Sequence, residues 1–304
     1  MSKYTLTLDS SQLSTIYSCM QKWDWSQNKK LYKKTDEGGE YPLSQAILGG
    51  TYGHKLFEVY DTVLMRTGKP LDAFHVLCDE NQWLTDNHLV FETSEKVESF
   101  LSEMSQLDPA RKKLVLSRVI GSITRYAGQI YSVLGVEEGF SYPLYEDDNN
   151  LFILEGRFDC RIHFQEKEYW LDHKFQDAAR PLYRKMIQFR NYTMVSGCNT
   201  GMINYVRLTQ SENPQTYQRD LTPFSAAELE LWKLELINKY FEVKDYLLYP
   251  NHSKKDPRNR VACGHYEYDQ CWYTQLCDET QPDLVQIRID QNFGVREKMW
   301  RPWD

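Results

Sequence analysis

Two aspartates, a lysine and a polar pair crowd the middle of this sequence, in the runs Gly156-Arg-Phe-Asp159, Trp170-Leu-Asp172-His-Lys174 and Gln188-Phe-Arg-Asn-Tyr192. Asp159 ends a stretch of apolar and alternating residues that begins Leu151-Phe-Ile-Leu154, and Asp172 lies in Tyr169-Trp-Leu-Asp172. An antiparallel pair joined by the polar turn at 165–168 brings the two carboxylates together. Ionised carboxylates side by side repel and raise one pKa unless a cation lies between them. Mg2+ or Mn2+ suits such oxygen ligands, keeping waters for hydrolysis and one position for a phosphate oxygen. Lys174 shares the strand parity of Asp172, so its ammonium can orient an attacking water and offset charge that builds on a phosphate. Gln188 and Tyr192 share a helix face at i, i+4, from which they can bond a phosphate or a water and stack on a base or sugar. Each group also has a plainer reading. With 26% charged residues, an acid-x-lysine triplet arises by chance as a solvated salt-bridge ladder, and a half-buried Tyr beside an exposed Gln is ordinary.

The elements that must position these groups follow from periodicity. Residues 11–33 read as one helix capped by Asp9 or Ser10, with Leu13, Ile16, Tyr17, Met20 and Trp23 at helical spacing and Cys19 within it. After a loop at 37–42, a second helix runs from about Ser44 to Thr67, with Leu48, Tyr52, Leu56, Val59 and Val63 along its apolar side. Two more helices span 90–134, interrupted at Asp108-Pro109. From Gly135 the texture turns to strands: Val136 to Tyr142, Leu151 to Phe164, and Tyr169 to Lys174. A helix from about Leu182 to Gly197, a strand from Gly201 to Leu208 and a helix over 225–247 follow, and the tail beyond Pro250 is irregular. This order predicts an α/β fold with a mixed central sheet flanked by helices, a helical N-terminal portion and an irregular cysteine-bearing tail. The expected division is 1–43 as the N-terminal helix, 44–250 as the core with a helical insertion at about 70–134, and 251–304 as the tail.

The Gly-x-x-Asp strand, the Asp-x-Lys strand and the Gln-x-x-x-Tyr helix together resemble the PD-(D/E)xK nuclease superfamily, and within it the RecB/AddB-like exonuclease branch. The resemblance covers roughly residues 44–210 and implies a restriction-endonuclease-like core. The "PD" pair reads Phe158-Asp159 here, a departure the branch tolerates, and its second acid is often Asp, as Asp172 is. Gly49-Gly-Thr-Tyr-Gly53-His54-Lys-Leu-Phe-Glu58 matches the branch's upstream histidine after small residues. That match implies His54 as a metal ligand beside Asp159 and Asp172, although a lone helical His is more often structural. The resemblance further implies that the backbone carbonyl of His173 completes the metal shell. It also calls for an acid before the Gly-x-x-Asp strand, for which Glu137 and Glu138 are both candidates; Glu137 fits better because it follows the apolar Val136. The implied activity is Mg2+- or Mn2+-dependent hydrolysis of DNA, with Asp159, Asp172, Lys174, Gln188 and Tyr192 as the catalytic group.

Seven cysteines are present, and Cys263, Cys271 and Cys277 crowd into the last fifth of the chain. An odd count without a secretory signal argues against a disulfide framework. Three thiols at loop spacings can wrap three corners of a metal or cluster, and Cys19 is the candidate for the fourth. AddB-type nucleases and the cluster-bearing CRISPR-associated exonucleases show a similar split, one cysteine before the core and three after it. That resemblance implies a four-iron four-sulfur (4Fe-4S) cluster stapling the two ends of the domain. Structural Zn2+, with His265 as a further ligand, and simple buried thiols remain open alternatives, although the Cys-x-x-Cys knuckles usual for zinc are missing. Cys78, Cys160 and Cys198 read as ordinary buried small residues.

A net charge of −7 argues against coating nucleic acid through bulk charge. A local basic groove can nevertheless form from Arg111-Lys-Lys113, Arg118, Arg125 and the run from Arg180 to Lys185, with Arg184 as a nucleic-acid contact; each can equally be a solvated helix face. No apolar stretch is long enough to span a bilayer and the N-terminus lacks a signal-peptide core, so the expected address is the cytoplasm, or a host's cytoplasm for a viral protein. No phosphate-binding Gly-x-x-x-x-Gly-Lys-Ser/Thr loop occurs, so any helicase or single-strand annealing partner is expected as a separate protein. The expectation is therefore a DNA exonuclease acting on single strands or duplex ends, in recombination, repair, end resection or viral genome processing. A structure-specific endonuclease and a non-catalytic DNA-binding or assembly module that keeps the fold are the alternatives.

Overall fold

The computed structural model describes residues 3–129, 131–177, 186–213, 215–248, 271–277, 279 and 281–297. The chain opens with β1 (Tyr4–Asp9), α1 (Ser10–Ser18), α2 (Met20–Trp23), a π-helical turn (Asp24–Asn28) and β2 (Leu31–Lys33). A helical stretch follows: α3 (Gln45–Thr67), α4 (Pro70–Cys78), α5 (Glu80–Thr85), α6 (Asn87–Val90), α7 (Ser94–Met104) and α8 (Pro109–Arg125). Next come β3 (Ser132–Glu146), β4 (Asn150–Phe164), β5 (Lys167–Gln176), α9 (Ile187–Ser196), β6 (Thr200–Arg207), β7 (Tyr217–Pro223) and α10 (Ala226–Leu248). The described part of the tail holds α11 (Thr274–Cys277), α12 (Pro282–Asn292) and β8 (Phe293–Val295). The sheet is mixed, with strand order β1-β4-β5-β6-β7 and β3 paired to β4. The architecture is α/β with a mixed central sheet flanked by helices.

The start of the chain differs from the single helix expected over 11–33. Asp9 caps α1 in a capping box with Gln12, but Cys19 is extended (φ −164°, ψ 113°) and ends the helix. The Cys19 thiol then accepts the Lys22 N–H at 3.4 Å and so opens α2. One extended residue shifts the helical phase too little to disturb the apolar spacing, so the sequence pattern runs straight across the break. Ahead of it, Leu6 and Leu8 are buried while Thr5 and Thr7 are not, which makes β1 a strand that the sequence reading did not assign.

Residues Met1–Pro42, Phe140–Gly156 and Glu230–Asp304 form one compact unit, and Leu43–Gly139 with Arg157–Leu229 form another. In the first, β1 runs parallel to the beginning of β4, from Tyr4 on Asn150 to Asp9 on Glu155. The Tyr240 hydroxyl of α10 donates to the Ile153 carbonyl at 2.7 Å and lies 3.2 Å from that of Leu8. Trp25, Leu31, Tyr273, Leu276 and Phe293 make a small core, closed by the antiparallel β2–β8 pair.

In the second unit, Leu48, Tyr52, Leu56, Val59 and Val63 of α3 are buried as their spacing predicts, against Trp83, Phe100, Val115 and Val206. Asp108 caps α8 through the Arg111 N–H at 2.9 Å. Gln165 and Glu166 both take positive φ (48° and 62°), the primed-turn geometry that matches the twist of paired strands. This two-residue loop fixes the antiparallel β4–β5 register, Phe164 on Lys167 through Cys160 on Leu171. β6 then pairs parallel to β5 and antiparallel to β7. Side chains alternate along β5: Trp170 stacks on Phe189 of α9 (5.2 Å), while His173 stacks on Phe57 of α3 (3.8 Å). Of the cysteines expected to be buried, Cys160 is, Cys198 is half-buried, and Cys78 is exposed because it ends α4 at the surface. No helix among the described residues is long and apolar enough to cross a membrane.

Candidate active site and metal centre

The β4–β5 ladder ends at the Cys160–Leu171 pair, and Asp159 and Asp172 are the next residues beyond it on the two strands. Asp159 Oδ2 accepts the backbone N–H of His173 at 2.9 Å and lies 3.2 Å from His54 Nδ1. Lys174 Nζ lies 2.9 Å from Asp172 Oδ1 and 2.7 Å from Oδ2. From α9, Gln188 Nε2 donates to Asp172 Oδ1 at 3.2 Å and reaches the Tyr192 hydroxyl at 2.7 Å. That hydroxyl donates in turn to the Arg157 carbonyl. The structure thus brings together His54, Asp159, Asp172, Lys174, Gln188 and Tyr192, all within one unit. Tyr192 differs in one respect from its sequence reading. Its ring is only 4% exposed, packed on Phe158 and edge-on to Trp170, so it is a strut and offers no open face for a base.

Gly53 and Phe175 set the position of His54. A Cβ on Gly53 would fall 2.4 Å from the Phe175 ring, so only glycine lets that ring close on α3. The ring meets the His54 imidazole edge-on at 5.4 Å. His54 keeps a 35% exposed side chain while that of Asp172 is fully buried, so the centre opens on the His54 side.

Glu137 and Glu138, the two candidates for the upstream acid, differ in their surroundings. Glu138 turns to Arg161, at 2.5 Å. Glu137 takes a left-handed backbone (φ 51°), a strained conformation for glutamate, and pairs with Arg157 at 2.6 Å. Burial, then the charges of Asp159 and Glu58, push its carboxyl up to about 8. Glu58 therefore belongs to the same electrostatic group, a residue not assigned from the sequence. It lies one turn after His54 on α3, ion-paired with Lys55 at 2.5 Å, and burial is the main cause raising its own carboxyl. The signal was its i, i+4 spacing from His54.

Burial also raises Asp172, to about 6, with Asp159 adding to the rise and Lys174 opposing it. Burial works to raise Asp159 as well, but the charge and hydrogen bond of His54, with Lys174 behind it, hold that carboxyl well below the usual range. His54 moves up in return: packing lowers it, and Asp159 more than compensates. Among the described residues, no group of three or more His, Cys, Asp or Glu side chains is arranged to hold a metal ion. His54 and Lys174 instead occupy the positions from which a cation would neutralise the two aspartates. The donor chemistry still fits a hard divalent ion: the buried Asp172 carboxylate has the Lys174 ammonium 2.7 Å from Oδ2, and the charge of Asp159 raises both Glu137 and Asp172.

In the first unit Cys19 is buried, and Cys271 and Cys277 are half-buried. The Tyr246 hydroxyl is raised by burial, then by Asp24, and also by Cys277 and Cys19. Cys271 similarly adds to the rise of Tyr273. Cys263, His265 and Arg184 lie outside the described residues.

No protein-family model matches the chain, and no curated protein matches it. Among solved structures it is similar to the crystal structure of SSO0001, at a TM-score of 0.28 and 15% identity, over 47% of this chain and 66% of that one.

Proposed function

We propose that this protein is a metal-dependent deoxyribonuclease of the PD-(D/E)xK type, an exonuclease of the RecB/AddB-like kind. The observation that carries the reading is that Asp159, bonded to the His173 N–H beside Asp172, has His54 on its carboxylate while Lys174 lies on that of Asp172. Asp159, Asp172 and His54 would hold Mg2+ or Mn2+, with the His173 carbonyl and Glu137 completing the shell. When bound, the ion supplies Lewis acidity toward a phosphodiester oxygen and acidifies a water. Lys174 keeps its ammonium beside the attacked phosphate, where it orients the water and offsets developing negative charge. Gln188 fixes Asp172 from the α9 side, and Tyr192 braces Gln188 against the backbone of Arg157. His54, on the open side, is the group best placed to release a proton to solvent as the aspartates turn from it to the cation.

For the tail, we read Cys19, Cys263, Cys271 and Cys277 as ligands of a 4Fe-4S cluster. The placement of Cys19, Cys271 and Cys277 in one compact unit supports this. Iron and acid-labile sulfide in the purified protein, with a broad band near ~400 nm, is the expected result; zinc alone would replace the cluster by a structural Zn2+.

The activity test is digestion of end-labelled linear DNA with Mg2+ or Mn2+. Release of nucleotides should stop with chelator and in Asp172→Ala and Lys174→Ala, both with unchanged circular dichroism. Degradation retained in either variant overturns the assignment. Cutting of circular single-stranded DNA would instead identify an endonuclease.

A further inference from the structure

Behind the acidic centre lies a second set of polar groups that the chemistry above does not use. Asp61, Ser122, His173 and Asn204 are each at most 2% exposed, and they come from four elements, α3, α8, β5 and β6. They form one hydrogen-bonded chain. Asn204 Nδ2 donates to His173 Nδ1 at 3.0 Å, and His173 Nε2 lies 3.3 Å from Asp61 Oδ2. The Tyr131 hydroxyl donates to Asp61 Oδ1 at 3.3 Å, and Ser122 Oγ meets the Asn204 amide at 3.3 and 3.4 Å. An amide nitrogen can only donate, so Nδ1 is the acceptor and the imidazole proton on Nε2 points at the Asp61 carboxylate. Asn204 is also the register partner of His173 across β5 and β6.

Such a set is a poor way to gain stability, because apolar residues of the same volume usually serve as well or better. It is a good way to fix position: every donor has one acceptor, and a shift of β5 along α3 would strand a buried charge. The His173 peptide is the link between Asp172 and Lys174, and its N–H is what holds Asp159. On α3, Phe57 and Asp61 follow His54 by one and two turns, and the His173 ring lies on Phe57 with planes 10° apart.

We infer that the Ser122–Asn204–His173–Asp61 chain positions the acidic centre, locking the His173 peptide and α3 in the one relation that sets His54, Asp159 and Asp172 as a ligand group. These are positioning residues, and the inference rests on the reading of the centre as a divalent-metal site.

Full-length protein is titrated with Mn2+ by calorimetry without DNA, and DNA affinity in Ca2+ and single-turnover cleavage are measured alongside. Asp61→Asn keeps the shape but removes the carboxylate acceptor; His173→Phe keeps the stack on Phe57 and removes both nitrogens. Each is expected to weaken Mn2+ binding about tenfold and slow cleavage comparably, with DNA affinity and circular dichroism unchanged, a split that general loss of packing does not produce. Mn2+ affinity and cleavage within about twofold of wild type in folded Asp61→Asn overturns the inference. If neither variant folds, Ser122→Ala and Tyr131→Phe, each removing one bond at an end of the chain, carry the same comparison with an expected loss of about threefold. Asp172→Asn separates the two claims. Should it bind Mn2+ as wild type does, the metal reading fails and takes this inference with it. If it alone loses Mn2+, the metal site stands and the positioning role is wrong.

Discussion

Glu137 and Asp172 are acids kept protonated far above their ordinary range, at about 8 and about 6, by burial first and by neighbouring carboxylates after it. A carboxyl raised in the folded state stabilises the protein below its unfolded pKa, and that stability is lost as pH rises through the folded value. His54, also raised, adds a slope of the same sign. Asp159, depressed, acts oppositely and only in acid. Between about pH 4 and 8 the metal-free protein should therefore lose melting temperature as pH rises. Mn2+ should restore it most at high pH, because the ion binds the deprotonated acids. Thermal scans in chelator across this range check the sign; a rising melting temperature would contradict it. Glu137→Gln should flatten the alkaline half of the slope. Lys174→Ala should lower the cleavage rate at least a hundredfold, as loss of a positioned charge donor does, while leaving Mn2+ binding intact or slightly tighter, since the ammonium competes with the ion for Asp172. Calorimetry beside single-turnover kinetics separates the two effects.

At the scale of elements, what the sequence exposed was local periodicity, and what it hid was distance. The apolar side of α3 and the β4–β5 hairpin were legible because their determinants are i, i+4 spacing, strand alternation and a two-residue polar turn. Once those held, the meeting of Asp159 with Asp172, and of Lys174 with Asp172, followed from register and parity. β1 carried an equally plain alternation in Leu6 and Leu8, but its partner lies on β4, remote in sequence, and the segment was short. The break at Cys19 left no trace because the apolar phase continues through it. Asp61 drew no assignment from the sequence, since its partners His173 and Tyr131 belong to strand and loop segments far along the chain. Gly53 was legible only as a small residue before His54; the Phe175 ring that requires it was not. Gly53→Ala should therefore cost about 1–3 kcal/mol by overpacking and displace His54 from Asp159. The measurable result is a melting temperature lower by roughly 2–10 °C together with weakened Mn2+ binding. Unchanged metal affinity in the folded variant would show that Phe175 does not place His54.

For the molecule as a whole, Met1–Pro42 and Glu230–Asp304 share one compact unit, although residues 43–229 separate them in sequence. Within it the Tyr273 hydroxyl donates to the Leu31 carbonyl at 2.7 Å, and the β2–β8 pair adds only three residues from each strand. The apolar cluster that the described tail residues Tyr273, Leu276 and Phe293 form with Trp25 and Leu31 is small, so it holds the tail only lightly across so long a loop. A cluster bonded to Cys19 and to the tail cysteines would supply that closure by constraining the unfolded chain as any long-range cross-link does, worth roughly 4 kcal/mol. Cys19→Ser also weakens the cap that opens α2, but a serine oxygen still caps a helix, so the cap alone predicts a small change. Loss of the cluster predicts a large one: a melting temperature lower by about 10 °C, with iron and labile sulfide gone from the purified protein. Because the acidic centre is built wholly within the other unit, Mn2+ binding by the folded variant should persist. A Cys19→Ser protein that keeps its iron would remove this thiol from the ligand set. One that loses iron without losing stability would show that the cluster has a purpose other than holding the two ends of the chain together.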